Sequence, residues 1–262
     1  MWFVGGKEKQ AAVMSMQTEG HRQIIAILRK HINKLLFMAI FIFLLIFFLF
    51  CSHYKEYNLQ KYWPYRGGSV WCYQVVKTKL PSASHMFEKN FKVEDVIDFS
   101  GRRAENFIYD DGNKVLYTTY DGGVRLFKEI DEDGGYAVYS PEVIEIPLRM
   151  RIGETICQPY AYTEYYRNGE VEDRGRGTAK VALLKEENIR VGEKVFKHCL
   201  KFLHISRWEE TTGDYGTTMR IFWLAPHAGK VKEIEVFIEY DKDNRRSKHI
   251  IRRELQERRS VQ

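Results

Sequence analysis

The chain has 262 residues, 44% hydrophobic and 29% charged, which suits one sizeable globular domain with extensions. Its net charge of +6 is unevenly spread: residues 1–34 carry +4 and residues 242–262 carry +5, whereas residues 67–241 hold 24 Lys/Arg against 29 Asp/Glu. The body is therefore mildly acidic, and a nucleic-acid partner, which would need a basic face on the folded part, is set aside.

Residues 1–34 form a basic segment that precedes an apolar run, "LLFMAIFIFLLIFFLFC", from Leu35 to Cys51. As a helix this run spans about 26 Å, slightly short of a hydrocarbon core of roughly 30 Å. It is apolar on every face, which argues against a buried core helix and for a transmembrane anchor or signal segment. Arg29, Lys30 and Lys34 crowd its N-terminal side, so the positive-inside rule puts the N-terminus in the cytoplasm and residues 52–262 outside it, in the periplasm or beyond the cell. Two readings of the run stay open. The long N-terminal segment and the lack of a small-x-small site favour an uncleaved anchor. Cys51 followed by Ser52 resembles a bacterial lipoprotein signal, although Phe50 stands where a small residue is normal.

Residues 52–66 read as a polar, aromatic linker and residues 67–255 as the outer domain, with 256–262 a basic tail. Ser69–Leu80 is expected as a strand, Pro81–Met86 as a loop and Phe91–Ser100 as a weaker strand. Asp-Gly pairs at 111–112, 121–122 and 133–134 separate short runs rich in Tyr, Val, Leu and Phe. Such pairs supply the positive φ of tight hairpin turns, so residues 106–140 are expected as an antiparallel meander. Residues 141–158, with two prolines, read as a connection. Tyr160, Tyr162 and Tyr166 are expected on one face of a strand that Asn168-Gly169 turns. Further strands are expected at 195–208, 215–224 and 230–240, the last alternating Glu233 and Glu235 with Ile234, Val236 and Ile238. Residues 247–255 read as a final strand or a short helix. Trp223 ends a strand, Pro226 cannot continue it and Gly229 permits the return.

The residues offer no catalytic set and no cofactor motif. His198 and Cys199 are neighbours on one strand and point to opposite faces. His198 and His204 are too far apart along a strand to hold one metal. Glu186-Glu187 and Glu209-Glu210 read as solvated strand ends. "RGRG" (Arg174 to Gly177) is too short for an RNA-binding repeat. Cys72, Cys157 and Cys199 allow at most one disulfide.

Three motifs occur in order: "GGSVWCYQV" (Gly67 to Val75), "IRVGEKVFKHCLKF" (Ile189 to Phe202) and "FWLAPHAGKVKEIEV" (Phe222 to Val236). Together they resemble small bacterial envelope proteins, often lipoproteins, whose fold is similar to the periplasmic lipoprotein-localisation carriers. The resemblance implies one strongly curved antiparallel sheet, a half-barrel that holds apolar ligands, here a membrane lipid or a lipoprotein acyl chain. It departs from that family at Ala228 and in having no evident helices to plug the half-barrel. Trp71 and Trp223 lie in the strands of the resemblance and, with Tyr160, Tyr162 and Tyr166, are the candidate ligand contacts. The alternative is an accessory subunit that docks on an envelope protein complex through its sheet edge or its Tyr-rich face. No metal site and no enzymatic activity are expected.

Overall fold

The computed structural model describes residues 38, 40–43, 55–65, 67–79, 84–97, 103–120 and 123–260. The chain divides into two compact units, Met1–Lys55 and Glu56–Gln262. In the first, residues 38 and 40–43 are helical. The rest of the apolar run, Cys51 included, lies outside the described residues, and with it the anchor, signal and lipidation expectations. Among the described residues no helix is long and apolar enough to cross a membrane.

The second unit is almost entirely β-structure. It opens with β1 (Glu56–Asn58) and one turn of 3-10 helix (Leu59–Tyr62), continues through β2 (Ser69–Lys79), β3 (Ser84–Ile97), β4 (Arg103–Tyr109), β5 (Lys114–Tyr120), β6 (Gly123–Ile130) and β7 (Tyr136–Pro147), then the short β8 (Arg149–Arg151). After these come β9 (Thr155–Tyr165), β10 (Val171–Val191), β11 (Lys194–Glu210), β12 (Tyr215–Ala225), β13 (Gly229–Tyr240) and β14 (Arg246–Ser260). All but β1 and β8 form one closed antiparallel barrel, each strand beside its neighbour in sequence, with β14 pairing β2 to complete the ring.

The expected half-barrel is thus corrected to a closed barrel. The closing seam pairs Ser260 with Ser69 and His249 with Lys79, and so leaves no free sheet edge of the kind an open half-barrel must protect. Residues 141–158 are also mostly strand rather than connection, supplying the end of β7, all of β8 and the start of β9. Pro141 sits between Val138 and Val143, where the β6–β7 ladder is interrupted by register shifts, so its missing N–H costs no ladder bond. The expected loop at 81–86 gives way to β3 from Ser84 onward, and the C-terminus is a strand, not a helix.

The expected turns at 111–112 and 133–134 are present, with Gly112 and Gly134 at φ of 90° and 91°. Residues 121–122 lie outside the described residues, though Tyr120 pairs with Gly123 across them. The corner after Trp223 is also as expected: β12 stops at Ala225 and β13 starts at Gly229, with φ of 78°.

The lower end of the barrel is plugged by the segment that enters it. β1 pairs with β8, the Leu59 N–H donates to the Leu148 carbonyl, and the His227 N–H donates to the Lys61 carbonyl. Leu59 and Tyr62 are buried, and the Tyr62 hydroxyl donates to the His198 carbonyl. Above the plug lies an apolar layer in which Trp71, Leu183, Leu200, Phe202, Phe222 and Leu224 are fully enclosed.

The "RGRG" glycines have a packing role. A Cβ on Gly175 would lie 2.2 Å from the ring of Tyr162, and one on Gly177 would lie 2.5 Å from the Arg207 carbonyl and 2.4 Å from the ring of Tyr160. The two tyrosine rings of β9 lie flat over bare backbone of β10.

A candidate binding cavity with a charged belt

Midway along the barrel the inward side chains change from apolar to charged. On β11–β14 the inward residues are paired rung by rung: His204 with Arg220, Arg220 with Glu235, and Glu233 with Arg253. Across the interior, Arg220 donates two hydrogen bonds to the Glu145 carboxylate of β7, at 2.9 and 2.6 Å, and a third to Nδ1 of His204 at 3.1 Å. Lys230 is 3.0 Å from Glu233 and 3.7 Å from Glu145. Arg253 donates to Glu233 at 2.8 Å and to Glu235 at 2.5 Å. Glu129 accepts from the Tyr139 hydroxyl at 2.5 Å.

Burial at this depth would neutralise isolated charges, so their partners decide their states. Burial pushes the Glu145 carboxyl up, but Arg220 and Lys230 outweigh it and hold the group below its usual range. For Glu233, burial is likewise overcome by Lys230 and Arg253. Burial and the Arg220 charge together push His204 down to about 3, so this imidazole is neutral. Glu129 goes the other way: burial raises it, and its Tyr139 bond only partly offsets that.

Beside this belt is a cavity of about 420 Å³, inside the size range of small-molecule sites, roughly 300–1,000 Å³. One wall is aromatic: Trp63, Tyr65, Tyr73, Phe91, Phe107, Tyr109 and Tyr117. These rings pack on one another, with Tyr65 and Phe107 centroids 5.0 Å apart and Phe107 and Tyr117 also 5.0 Å apart in an edge-on contact. The facing wall carries Arg220, Lys230, Glu233, Glu235 and Arg253. The cavity reaches the β4–β5 and β6–β7 turns, where Asn113, Lys114 and Asp131 stand. The indole N–H of Trp63 is buried and has no hydrogen-bond partner among the described residues.

None of the five candidate ligand contacts lines this cavity. Trp71 is enclosed in the apolar layer, stacked on Phe91. Trp223 faces outward, where its indole donates to Glu187 and Lys201 lies over its ring. Tyr160 and Tyr162 do point inward, into a second aromatic cluster with Tyr139, and bond to Ser206 and Glu210. Tyr166 follows the end of β9 and is half-exposed in the turn. Of the cavity's own aromatic residues, Phe107, Tyr109 and Tyr117 lie in the segment expected as a meander and Phe91 opens the weaker strand before it; period-2 spacing, as between Phe107 and Tyr109, is the signal that could have found them.

His204 is buried in the belt, whereas His198 is exposed and bonds to Glu186, which also accepts from Tyr57. Glu186 and Glu187 are therefore bonded groups within β10 rather than solvated ends. Cys72, Cys157 and Cys199 are free. No group of three or more His, Cys, Asp or Glu suited to a metal occurs among the described residues.

Near the upper turns, Glu164 is pushed up to about 7 by burial and by the neighbouring charges of Glu210, Glu172 and Asp173. The folded state therefore binds a proton that the unfolded chain, near 4.5, has released, so stability falls as pH rises between those values. Glu164→Gln should raise the unfolding temperature at pH 8 and leave it nearly unchanged at pH 4. Equal shifts at both pH values in calorimetry would contradict this.

No protein-family model and no curated protein matches the chain. Among solved structures it is similar to a presumed lipoprotein from Parabacteroides distasonis, at 13% identity over 74% of this chain and 98% of that one, with a TM-score of 0.36. It is also similar to the hypothetical lipoprotein YmcC from Escherichia coli, at 8% identity over 71% of this chain and 86% of that one, with a TM-score of 0.35.

Proposed function

We propose that the barrel is a non-catalytic binding module for a small amphiphile, such as a lipid or a lipoprotein acyl chain, held in the cell envelope on the outer side of a membrane by the apolar segment 35–51. The observation that carries the reading is the two-sided cavity. An aromatic wall suits an apolar chain, and the belt opposite offers fixed charges and hydrogen-bonding groups to a polar end. The belt is internally matched: Arg220, Lys230 and Arg253 face Glu145, Glu233 and Glu235. A guest of high net charge is thus not what the site is built for. The unpartnered Trp63 N–H is a donor that a guest carboxyl or ester oxygen would satisfy. The membrane tether rests on the length and uniform apolarity of residues 35–51 and the cations before them.

The test is titration of residues 56–262 with a fluorescent fatty acid. Binding in the micromolar range, about −8 kcal/mol, is expected. Tyr109→Ala removes one half-buried ring of the wall and should weaken binding about tenfold, a loss near 1.4 kcal/mol, with little change in melting temperature. Absence of probe binding would defeat the reading and leave the docking subunit as the better account; equal weakening by Tyr162→Ala would place the guest at the Tyr139, Tyr160 and Tyr162 cluster instead of this cavity.

A further inference from the structure

The barrel's outer surface is not uniformly polar. Where β11–β14 turn charged groups inward, their alternate residues turn aliphatic groups outward, and these align across the strands. Leu203 pairs with Ile221 and Ile221 with Ile234 in one row; Ile205 pairs with Met219, Met219 with Val236 and Val236 with Ile250 in the next. None of these is fully buried, and Met219 is 36% exposed. A contiguous aliphatic field on the outside of a barrel marks a contact surface.

Its border says what it contacts. The first row runs from Leu203 through Ile234 to Arg252, and the second begins at Lys180, which pairs with Ile205. Arg207 and Lys248 flank the field on the side of the upper turns. Lys180, Arg207 and Arg252 are exposed and Lys248 is half-buried. None of the four forms an ion pair with any described residue, although elsewhere on the barrel Lys92, Arg176 and Arg245 are paired with carboxylates. Four uncompensated cations around an aliphatic centre, on a body whose residues 67–241 carry more acids than bases, are complementary to anionic headgroups above acyl chains.

We propose that the outward face of β11–β14 lies on an anionic phospholipid membrane, with the aliphatic rows at the headgroup boundary and Lys180, Arg207, Lys248 and Arg252 on lipid phosphates. The cavity plays no part in this contact, so the two proposals fail separately.

The test uses the full chain in nanodiscs of phosphatidylcholine and phosphatidylglycerol containing a trace of phospholipid with a photoactivatable acyl chain. After irradiation, label should be about tenfold denser on peptides carrying Ile205, Met219 and Val236 than on peptides of β5 and β6 from the opposite wall. It should fall about tenfold in discs without phosphatidylglycerol, and equally in a Lys248→Glu/Arg252→Glu variant whose circular dichroism is unchanged. Label spread evenly around the barrel, or confined to residues 35–51, would overturn the proposal. So would face labelling indifferent to both lipid charge and the double reversal. A face found protected and unlabelled because it is covered by another protein or a second copy would overturn it as well.

Discussion

Glu145→Ala should lower the unfolding free energy by about 3–5 kcal/mol, the cost typical of removing one partner from a buried charge pair. The carboxylate is 1% exposed and accepts both arms of the Arg220 guanidinium, with Lys230 at 3.7 Å. Without it Arg220 keeps only Nδ1 of a neutral His204 and the more distant Glu235 side of the belt. The charge stays, its compensation goes, and the desolvation penalty is exposed in full. Replacing both partners, Glu145→Met with Arg220→Met, should recover most of the loss, because the penalty leaves with the charge. Urea denaturation measures both. A single-variant loss below about 1 kcal/mol would show that the strut contributes little and that water reaches it freely.

Trp71→Ala should be comparably damaging, about 3–5 kcal/mol, while the folded fraction retains its affinity for a fatty-acid probe. Trp71 is fully enclosed, stacked on Phe91 with centroids 5.5 Å apart and 9° between planes, and 4.5 Å from the ring of Tyr65. Its indole N–H donates to the Ala228 carbonyl, and Arg258 lies over its ring. Truncation opens a void between the plug and the sheet, and Trp71→Phe should restore part of the loss by refilling it. Little destabilisation combined with a large loss of affinity would instead make Trp71 the ligand contact that its place in the sequence motif suggested.

Individual strands and hairpins were largely legible in the sequence, because alternation and Asp-Gly turns are local signals. Three features were not. Closure depends on pairing β2 with β14, about the whole domain apart in sequence, and period-2 alternation looks the same in an open sheet and a closed one. The sense of each face was hidden as well. "KVKEIEVFIEY" shows two faces plainly, yet the aliphatic set Ile234, Val236 faces out and Glu233, Glu235 face in, the reverse of the usual assignment. Arg253 from the neighbouring strand and Lys230 on the same strand compensate these inward carboxylates and make that orientation stable. The cavity followed the same pattern. Its wall residues alternate in β3–β5, but the clustering of Tyr near 160–166 drew attention to a different part of the barrel, where the Tyr160 and Tyr162 rings pack against Gly177 and Gly175.

The order of the chain gives the plug an unusual history. Residues 56–65 are made before any barrel strand, yet their anchors are the Leu148, His198 and Lys230 backbones, and the seam that closes the ring waits for residues 249–260. A chain emerging N-terminus first would carry its stopper, then a growing open sheet with two unsatisfied edges, until the final strand arrives. During that interval the interior is accessible from the side as well as from the ends. The last strand to be made is thus the one that shuts the side of the interior.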